Sequence, residues 1–226
     1  MPSSSASNSG FGPRKAYLVL YNAASAVAWG AVLGRVAVVL GYKGAPFVPL
    51  VVDNFARVTQ TAAVMEIFHA LTGIVPAPFF TTAMQVASRL ILMWGISLPF
   101  PHLNSSAWYS SMLMAWATTE VIRYTYFALK QFGESAVPGW LHWLRYSAFL
   151  VLYPIGISSE VAMMLMALFG PASEQSTPHW YPLALMLILL SYVPGSVILY
   201  THMLSQRRKQ VGGGSTRLEK KVKKAQ

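Results

Sequence analysis

The chain has 226 residues, of which 54% are hydrophobic and 11% charged, with a formal net charge of +10. So few charges, against roughly a quarter in ordinary soluble domains, together with long apolar blocks, exclude a soluble globular domain and point to membrane spans. There is no cysteine, which excludes disulfides, thiolate metal sites and any cysteine nucleophile, that of a thiol-dependent phosphatase included.

Residues 1–16 are rich in Ser, Gly and Pro and lack the apolar core of a signal peptide, so a disordered cytosolic segment is expected there. The predicted fold class is all-α: a polytopic bundle of six transmembrane helices over residues 17–206, one domain without internal repeats. The apolar runs place the spans at about 17–40, 58–76, 79–98, 107–130, 143–169 and 180–204. Gly41-Tyr42-Lys43-Gly44 ends the first, Gly170-Pro171 the fifth, and Pro76-Ala77-Pro78 makes a tight joint between the second and third. Gly30 and Gly34 form a GxxxG on the first. Eight of the 17 Lys and Arg residues lie after position 206. Directly after an apolar segment, that 207–226 tail is expected to be a disordered cytosolic flank rather than a nucleic-acid contact.

Charge asymmetry orients the set. Arg14 and Lys15, Lys130 and Arg145, and the basic tail fall on one side, whereas 99–106 and 170–179 contain no Lys or Arg; Lys43 and Arg57 are the exceptions on that side. Both termini are therefore expected to be cytosolic. Asn104-Ser105-Ser106 is a glycosylation sequon in a predicted lumenal loop, too near the membrane for good use. Lys223 and Lys224, fourth and third from the end, resemble a dilysine retrieval signal of endoplasmic reticulum membrane proteins.

Charges inside spans cost about 2.5–3.5 kcal/mol each on insertion scales, yet Glu66, Arg89, Glu120, Arg123 and Glu160 lie there, with Gln60, His69 and Gln85 adding neutral polarity. Glu66/His69 and Glu120/Arg123 are i, i+3 pairs, Gln85/Arg89 is i, i+4, and Tyr146, Tyr153 and Glu160 are successive i, i+7 positions. Each set returns to one helix face, so four helices carry polar stripes that can meet in a common interior. Helices one and six lack such stripes and are expected to be packing elements. Ion pairs that hold helices together are as good an account of any single residue as function is. Pro154 kinks the fifth helix, and Gly156 allows close approach of a backbone or ligand.

The segments Tyr17–Asn22, Gln60–His69, Gln85–Arg89, Thr119–Tyr124 and Leu144–Tyr146 through Leu152-Tyr153-Pro154-Ile155-Gly156-Ile157-Ser158-Ser159-Glu160 run in order through the chain. In these the sequence resembles the very-long-chain (3R)-3-hydroxyacyl-CoA dehydratases of microsomal fatty acid elongation, with details closer to plant members. The resemblance implies a Tyr/Glu catalytic pair seven residues apart, which maps onto Tyr153 and Glu160. It also implies six spans with cytosolic termini, residence in the endoplasmic reticulum, and work beside a condensing enzyme and the ketoacyl and enoyl reductases.

The implied reaction is β-elimination of water from a thioester: a base takes a proton from C2 and an acid assists loss of the C3 hydroxyl, so no cofactor or metal is required. Glu160 as base with Tyr153 as acid is one assignment, and the reverse is open. Arg123, Tyr146 or a backbone N–H at the Pro154 kink are candidates to stabilise the thioester oxygen. Glu66, Arg89, Glu120, Arg123 and Tyr146 form the expected supporting polar interior, and Lys130, Arg145 and His142 could meet CoA phosphates at the cytosolic mouth. Membrane lipid surrounds the rest; no nucleic-acid partner is expected. The rival readings are a non-catalytic scaffold of the elongation complex and a small transporter, the latter disfavoured by the missing inverted repeat.

Overall fold

The computed structural model describes residues 12–170 and 177–211, and every regular element among them is helical. Helix α1 (Pro13–Tyr42) opens with Pro in its first turn, where the missing N–H costs nothing. It stops at Lys43 and Gly44, whose φ of +87° turns the chain. A 3₁₀ turn (Ala45–Phe47) leads into α2 (Val48–Ala62), which is separated from α3 (Val64–Leu71) by Ala63 alone. Helix α4 (Phe79–Leu90) runs on as a π-helical stretch, Ile91–Ser97. After a further 3₁₀ turn (Pro101–Ser105), α5 (Ala107–Lys130) starts at Ser106, whose hydroxyl accepts the Tyr109 N–H at 3.3 Å as an N-cap. Helices α6 (Gly139–Ser147) and α7 (Phe149–Phe169) are divided by Ala148, and α8 (Tyr181–Val211) closes the described chain.

Several boundaries differ from expectation. The second helical segment starts at Val48 rather than 58, because Pro49 sits in a first turn that tolerates it, and ends at Leu71 rather than 76, ahead of Gly73 with φ +69°. Helix α1 already begins inside the segment expected to be disordered. Helix α8 continues past 206 through Gln206–Gln210, all good helix formers. The rest of both expected tails, including Lys223 and Lys224, lies outside the described residues, as does Pro171.

Among the described residues, four helices are long and apolar enough to cross a membrane: Pro13–Tyr42, Phe79–Ser97, Gly139–Phe169 and Tyr181–Val211. The other two expected spans are helical but fall outside that set. Helices α2 and α3 are each short and broken at Ala63, and α5 carries Glu120, Arg123 and Lys130 among its serines and threonines.

That polarity suits α5 to the centre. It packs most extensively against α1 and α7, and it buries residues around most of its circumference, from Tyr109 and Met112 to Trp116 and Tyr124. The core joins these to Trp29, Val32 and Val36 of α1, Val52 of α2, Ile96 of the π stretch and Met163 and Met164 of α7. At the α5–α7 crossing a Cβ on Gly156 would lie 3.7 Å from the Ala115 Cβ, so the glycine sets a close approach. By contrast, Gly30 and Gly34 face open space, with nothing within 4 Å of an added Cβ, and do not form a packing seam within the chain. Helix α8 fully buries only Leu185, packs Ile188, Leu189 and Tyr192 against the edge of the core, and turns Leu183, Leu187, Leu190 and Val193 outward, as lipid solvation allows.

Contacts between distant segments define two ends of the bundle. At one, Arg14 donates to the carbonyls of Gly73 (3.3 Å) and Ile74 (2.5 Å), Lys15 lies 5.7 Å over the Phe132 ring, and Arg207 Nε donates to Ser147 Oγ at 3.2 Å. At the other, the Tyr181 hydroxyl donates to the Gly95 carbonyl at 2.6 Å, and Tyr109 donates to Asp53 Oδ1 at 2.7 Å.

Candidate active site

Four of the charges expected inside spans form one chain. Arg123 gives Nη1 and Nη2 to the two oxygens of Glu66, at 3.0 and 2.7 Å, and Nε to Glu120 Oε2 at 2.6 Å. Glu120 Oε1 accepts from Arg89, and the Tyr124 hydroxyl donates to Glu66. Helices α3, α4 and α5 are therefore tied by a Glu66–Arg123–Glu120–Arg89 series in which each carboxylate meets at least one guanidinium. All three nitrogens of Arg123 are engaged by two carboxylates, which holds its guanidinium in their plane and leaves it poorly placed for a thioester oxygen. Gln85, expected on the same stripe as Arg89, is exposed instead.

Glu160 stands apart from that series and has no ion pair among the described residues. Its Oε1 accepts the indole N–H of Trp116 at 2.8 Å, and its Oε2 accepts the Tyr192 hydroxyl at 2.8 Å. The two carboxylate oxygens thus meet α5 on one side and α8 on the other. The Arg89 guanidinium lies 5.1 Å over the Trp116 ring, which connects the charged series to Glu160 through the indole. Tyr153 also faces α8. Its hydroxyl donates to the Ser196 carbonyl at 3.2 Å, and its ring stacks on Tyr200 with centroids 5.8 Å apart. No hydrogen bond joins Tyr153 to Glu160 among the described residues. Both contact α8 within one helical turn, at Tyr192 and Ser196, on either side of Pro194.

The expectation that helices one and six are only packing elements is corrected. Helix α8 supplies Tyr192, and α1 supplies Tyr17, whose hydroxyl is 2.7 Å from His69 Nε2, and Tyr21, whose ring packs edge-on against His69 and Tyr124. Tyr17 and Tyr21 are spaced i, i+4, but in a long apolar run tyrosines at that spacing read as interfacial or core aromatics rather than as a polar stripe. A second cluster was equally silent. Asp53 accepts Arg57 Nη2 at 2.6 Å, Ser97 Oγ at 3.1 Å and the Tyr109 hydroxyl at 2.7 Å, and Asn104 Nδ2 donates to Ser97 Oγ at 2.9 Å. Asn104 is 0% exposed, so the acceptor residue of the sequon is buried in the fold.

Tyr146 does not join the interior series. It belongs to an aromatic group at the Arg14 end, 4.9 Å from His142 and 6.1 Å from Tyr126 between ring centroids. Arg145 lies 5.8 Å over the Tyr146 ring, and Lys130 lies 5.7 Å over Tyr126 and 3.5 Å from Glu134. Lys130, His142 and Arg145 therefore surround one aromatic cluster, on the end where Lys15 and Arg207 also lie.

The sequence matches the family described as protein tyrosine phosphatase-like protein, PTPLA, over residues 60–213. Similar curated proteins include very-long-chain (3R)-3-hydroxyacyl-CoA dehydratase PASTICCINO 2A of Oryza sativa subsp. japonica, 42% identical over 209 residues that cover 87% of this chain and 93% of the relative. The dehydratase hpo-8 of Caenorhabditis elegans is 38% identical over 222 residues, covering 88% and 96%. Dehydratase 2 of Homo sapiens is 33% identical over 207 residues, covering 86% and 80%. No solved structure matches the chain. With the matched region reaching from Gln60 on α2 past the end of α8, and so taking in Glu66, Arg89, Glu120, Arg123, Tyr153 and Glu160, the chain belongs to the PTPLA family, that of the very-long-chain (3R)-3-hydroxyacyl-CoA dehydratases.

Proposed function

We propose that the protein is a membrane-embedded carbon–oxygen lyase that converts very-long-chain (3R)-3-hydroxyacyl-CoA to trans-2-enoyl-CoA, the third step of fatty acid elongation. The observation that carries this reading is the placement of Glu160 and Tyr153 on α7 against adjacent turns of α8, Glu160 held by donors alone. Donors without an acceptor are complementary to a carboxylate, which is the form a base needs. In the step, Glu160 takes the C2 proton and the C–H electron pair becomes the C2–C3 double bond. The C3 hydroxyl leaves with the Tyr153 proton as water, and proton return from Glu160 to Tyr153 resets the pair. The name of the family matched is no guide to its chemistry here: a thiol-based phosphatase needs a cysteine and this chain has none.

Developing negative charge on the thioester oxygen needs a donor. Arg89 fits better than Arg123, since Glu120 is its one hydrogen-bond partner among the described residues and its remaining N–H groups stay uncommitted beside Trp116. The Pro154 kink is a weaker source, because a proline frees a carbonyl four residues earlier and not an N–H. CoA phosphates would meet Lys130 and Arg145 at the end we assign to the cytosol. In this reading α2–α3 and α5 also cross the membrane, making six spans in the endoplasmic reticulum with both termini cytosolic, beside the condensing enzyme and the two reductases.

The test is dehydration of a long-chain (3R)-3-hydroxyacyl-CoA by the purified full chain. Wild type should form the trans-2-enoyl-CoA, and folded Tyr153→Phe and Glu160→Gln should each lose about 10²–10⁴-fold, as expected for a general acid or base. A well-folded wild type inactive at every chain length tried would move the scaffold reading ahead.

A further inference from the structure

We propose that Tyr192 and Trp116 are positioning residues that hold the Glu160 carboxylate in one plane, and that α8 thereby sets the spacing between Glu160 and Tyr153. This rests on the dehydratase reading above. Each donor takes a different oxygen of Glu160, both at 2.8 Å, and they come from helices on opposite sides of α7. One bond would leave the carboxylate free to rotate about its terminal torsion; two on different oxygens remove that freedom. Each oxygen keeps a second lone-pair direction, so the group is held without being blocked for proton abstraction.

The two donors are themselves fixed unequally. Trp116 is 2% exposed, with Arg89 5.1 Å over its ring, and Arg89 is tied through Glu120 to Arg123 and Glu66. A cation over the face of an indole withdraws electron density from it and strengthens its N–H as a donor. The charged series, with no bond of its own to Glu160, thus acts on it through Trp116. Tyr192 is only partly buried, packed at the edge of the core, with no cation over its ring among the described residues. It sits on the helix that fully buries only Leu185, and it is one turn from Ser196, whose carbonyl accepts from Tyr153. Tyr181 on Gly95 and Arg207 on Ser147 hold the two ends of α8, and between them these two hydrogen bonds set its alignment with α7 at the level of the reacting pair. A shift of α8 along α7 would strain both bonds at once and turn the two side chains away from their present spacing.

The experiment measures kcat and KM of the reconstituted full chain on a long-chain (3R)-3-hydroxyacyl-CoA. Tyr192→Phe, folded as judged by its thermal midpoint, should lower kcat about 10–100-fold with KM within about twofold, the size expected for a small misplacement of a reacting group. Trp116→Phe should do the same, and it serves if Tyr192→Phe does not accumulate. In a Glu160→Asp background, whose shorter carboxylate cannot reach Tyr192, Tyr192→Phe should cost little more. Full kcat in both aromatic variants, a loss confined to KM, or an equal loss in the Glu160→Asp background would overturn the inference while the dehydratase reading stands. Absence of turnover by the wild type would overturn that reading, and this inference with it.

Discussion

Arg123 is the residue on which most of the buried polarity depends. Its guanidinium neutralises Glu66 and Glu120 at once, and each carboxylate is less than a fifth exposed. Removing it leaves two carboxylates with one guanidinium between them, and breaking a buried pair costs about 3–5 kcal/mol. Arg123→Met should therefore lower the thermal midpoint steeply and reduce the accumulated protein. Arg123→Lys should recover only part, because an ammonium cannot serve both carboxylates in the planar fork that guanidinium provides. At the other end Tyr109→Phe removes one of three donors to Asp53 and should cost about 1–3 kcal/mol. Turnover per folded molecule should stay unchanged there, since the Asp53 cluster shares no bond with Glu160. Asn104, fully buried and bonded to Ser97, should carry no glycan, so endoglycosidase treatment should leave the protein's mobility unaltered.

At the scale of helices, α7 combines an internal proline, a close approach and a hard stop. The Gly156 crossing tolerates one methyl, with 3.7 Å to the Ala115 Cβ, but not a branched side chain. Gly156→Ala should keep most stability and activity, whereas Gly156→Leu should force α5 and α7 apart at about 1–3 kcal/mol and separate Trp116 from Glu160. At the end of the helix a Cβ on Gly170 would fall 2.3 Å from the Met166 carbonyl oxygen, a backbone atom that cannot step aside. Gly170→Ala should therefore lower the thermal midpoint even though its φ of −74° is open to any residue. The break at Ala148 places Tyr146 on α6 and Tyr153 and Glu160 on α7, which is why a stripe continuous in sequence is divided between two sites in space.

For the molecule as a whole, the end-to-end contacts make the proposed topology testable. Arg14 on Ile74, Lys15 on Phe132 and Arg207 on Ser147 put one set of loops together, and Tyr181 on Gly95 marks the opposite end. Since the chain has no cysteine, single introduced thiols report without background. In sealed microsomes, Ser135→Cys should react with a membrane-impermeant maleimide, and His102→Cys should react only after detergent is added. Both positions are exposed in the fold. Equal labelling of the two before detergent would contradict six crossings with cytosolic termini.

Sequence alone determined the class, because apolar length and the scarcity of charge are properties that no tertiary arrangement alters. It also determined the helix ends set by local chemistry: the Gly41–Gly44 stop, the Ala107–Lys130 bounds and the halt before Gly170 all follow from residues within a turn of the boundary. The stripes Glu66, Arg89, Glu120 and Arg123 were legible because charges inside spans are costly and must find one another. What only the tertiary structure decided is which partner each charge meets. Arg123 is consumed by carboxylates, Tyr146 lies elsewhere, and Glu160 is met by Trp116 and Tyr192. An indole or phenol in an apolar run has the same sequence signature whether it faces lipid or a carboxylate. The difference lies in the rotation of its helix about its axis, which packing against α5 and α7 fixes and periodicity does not.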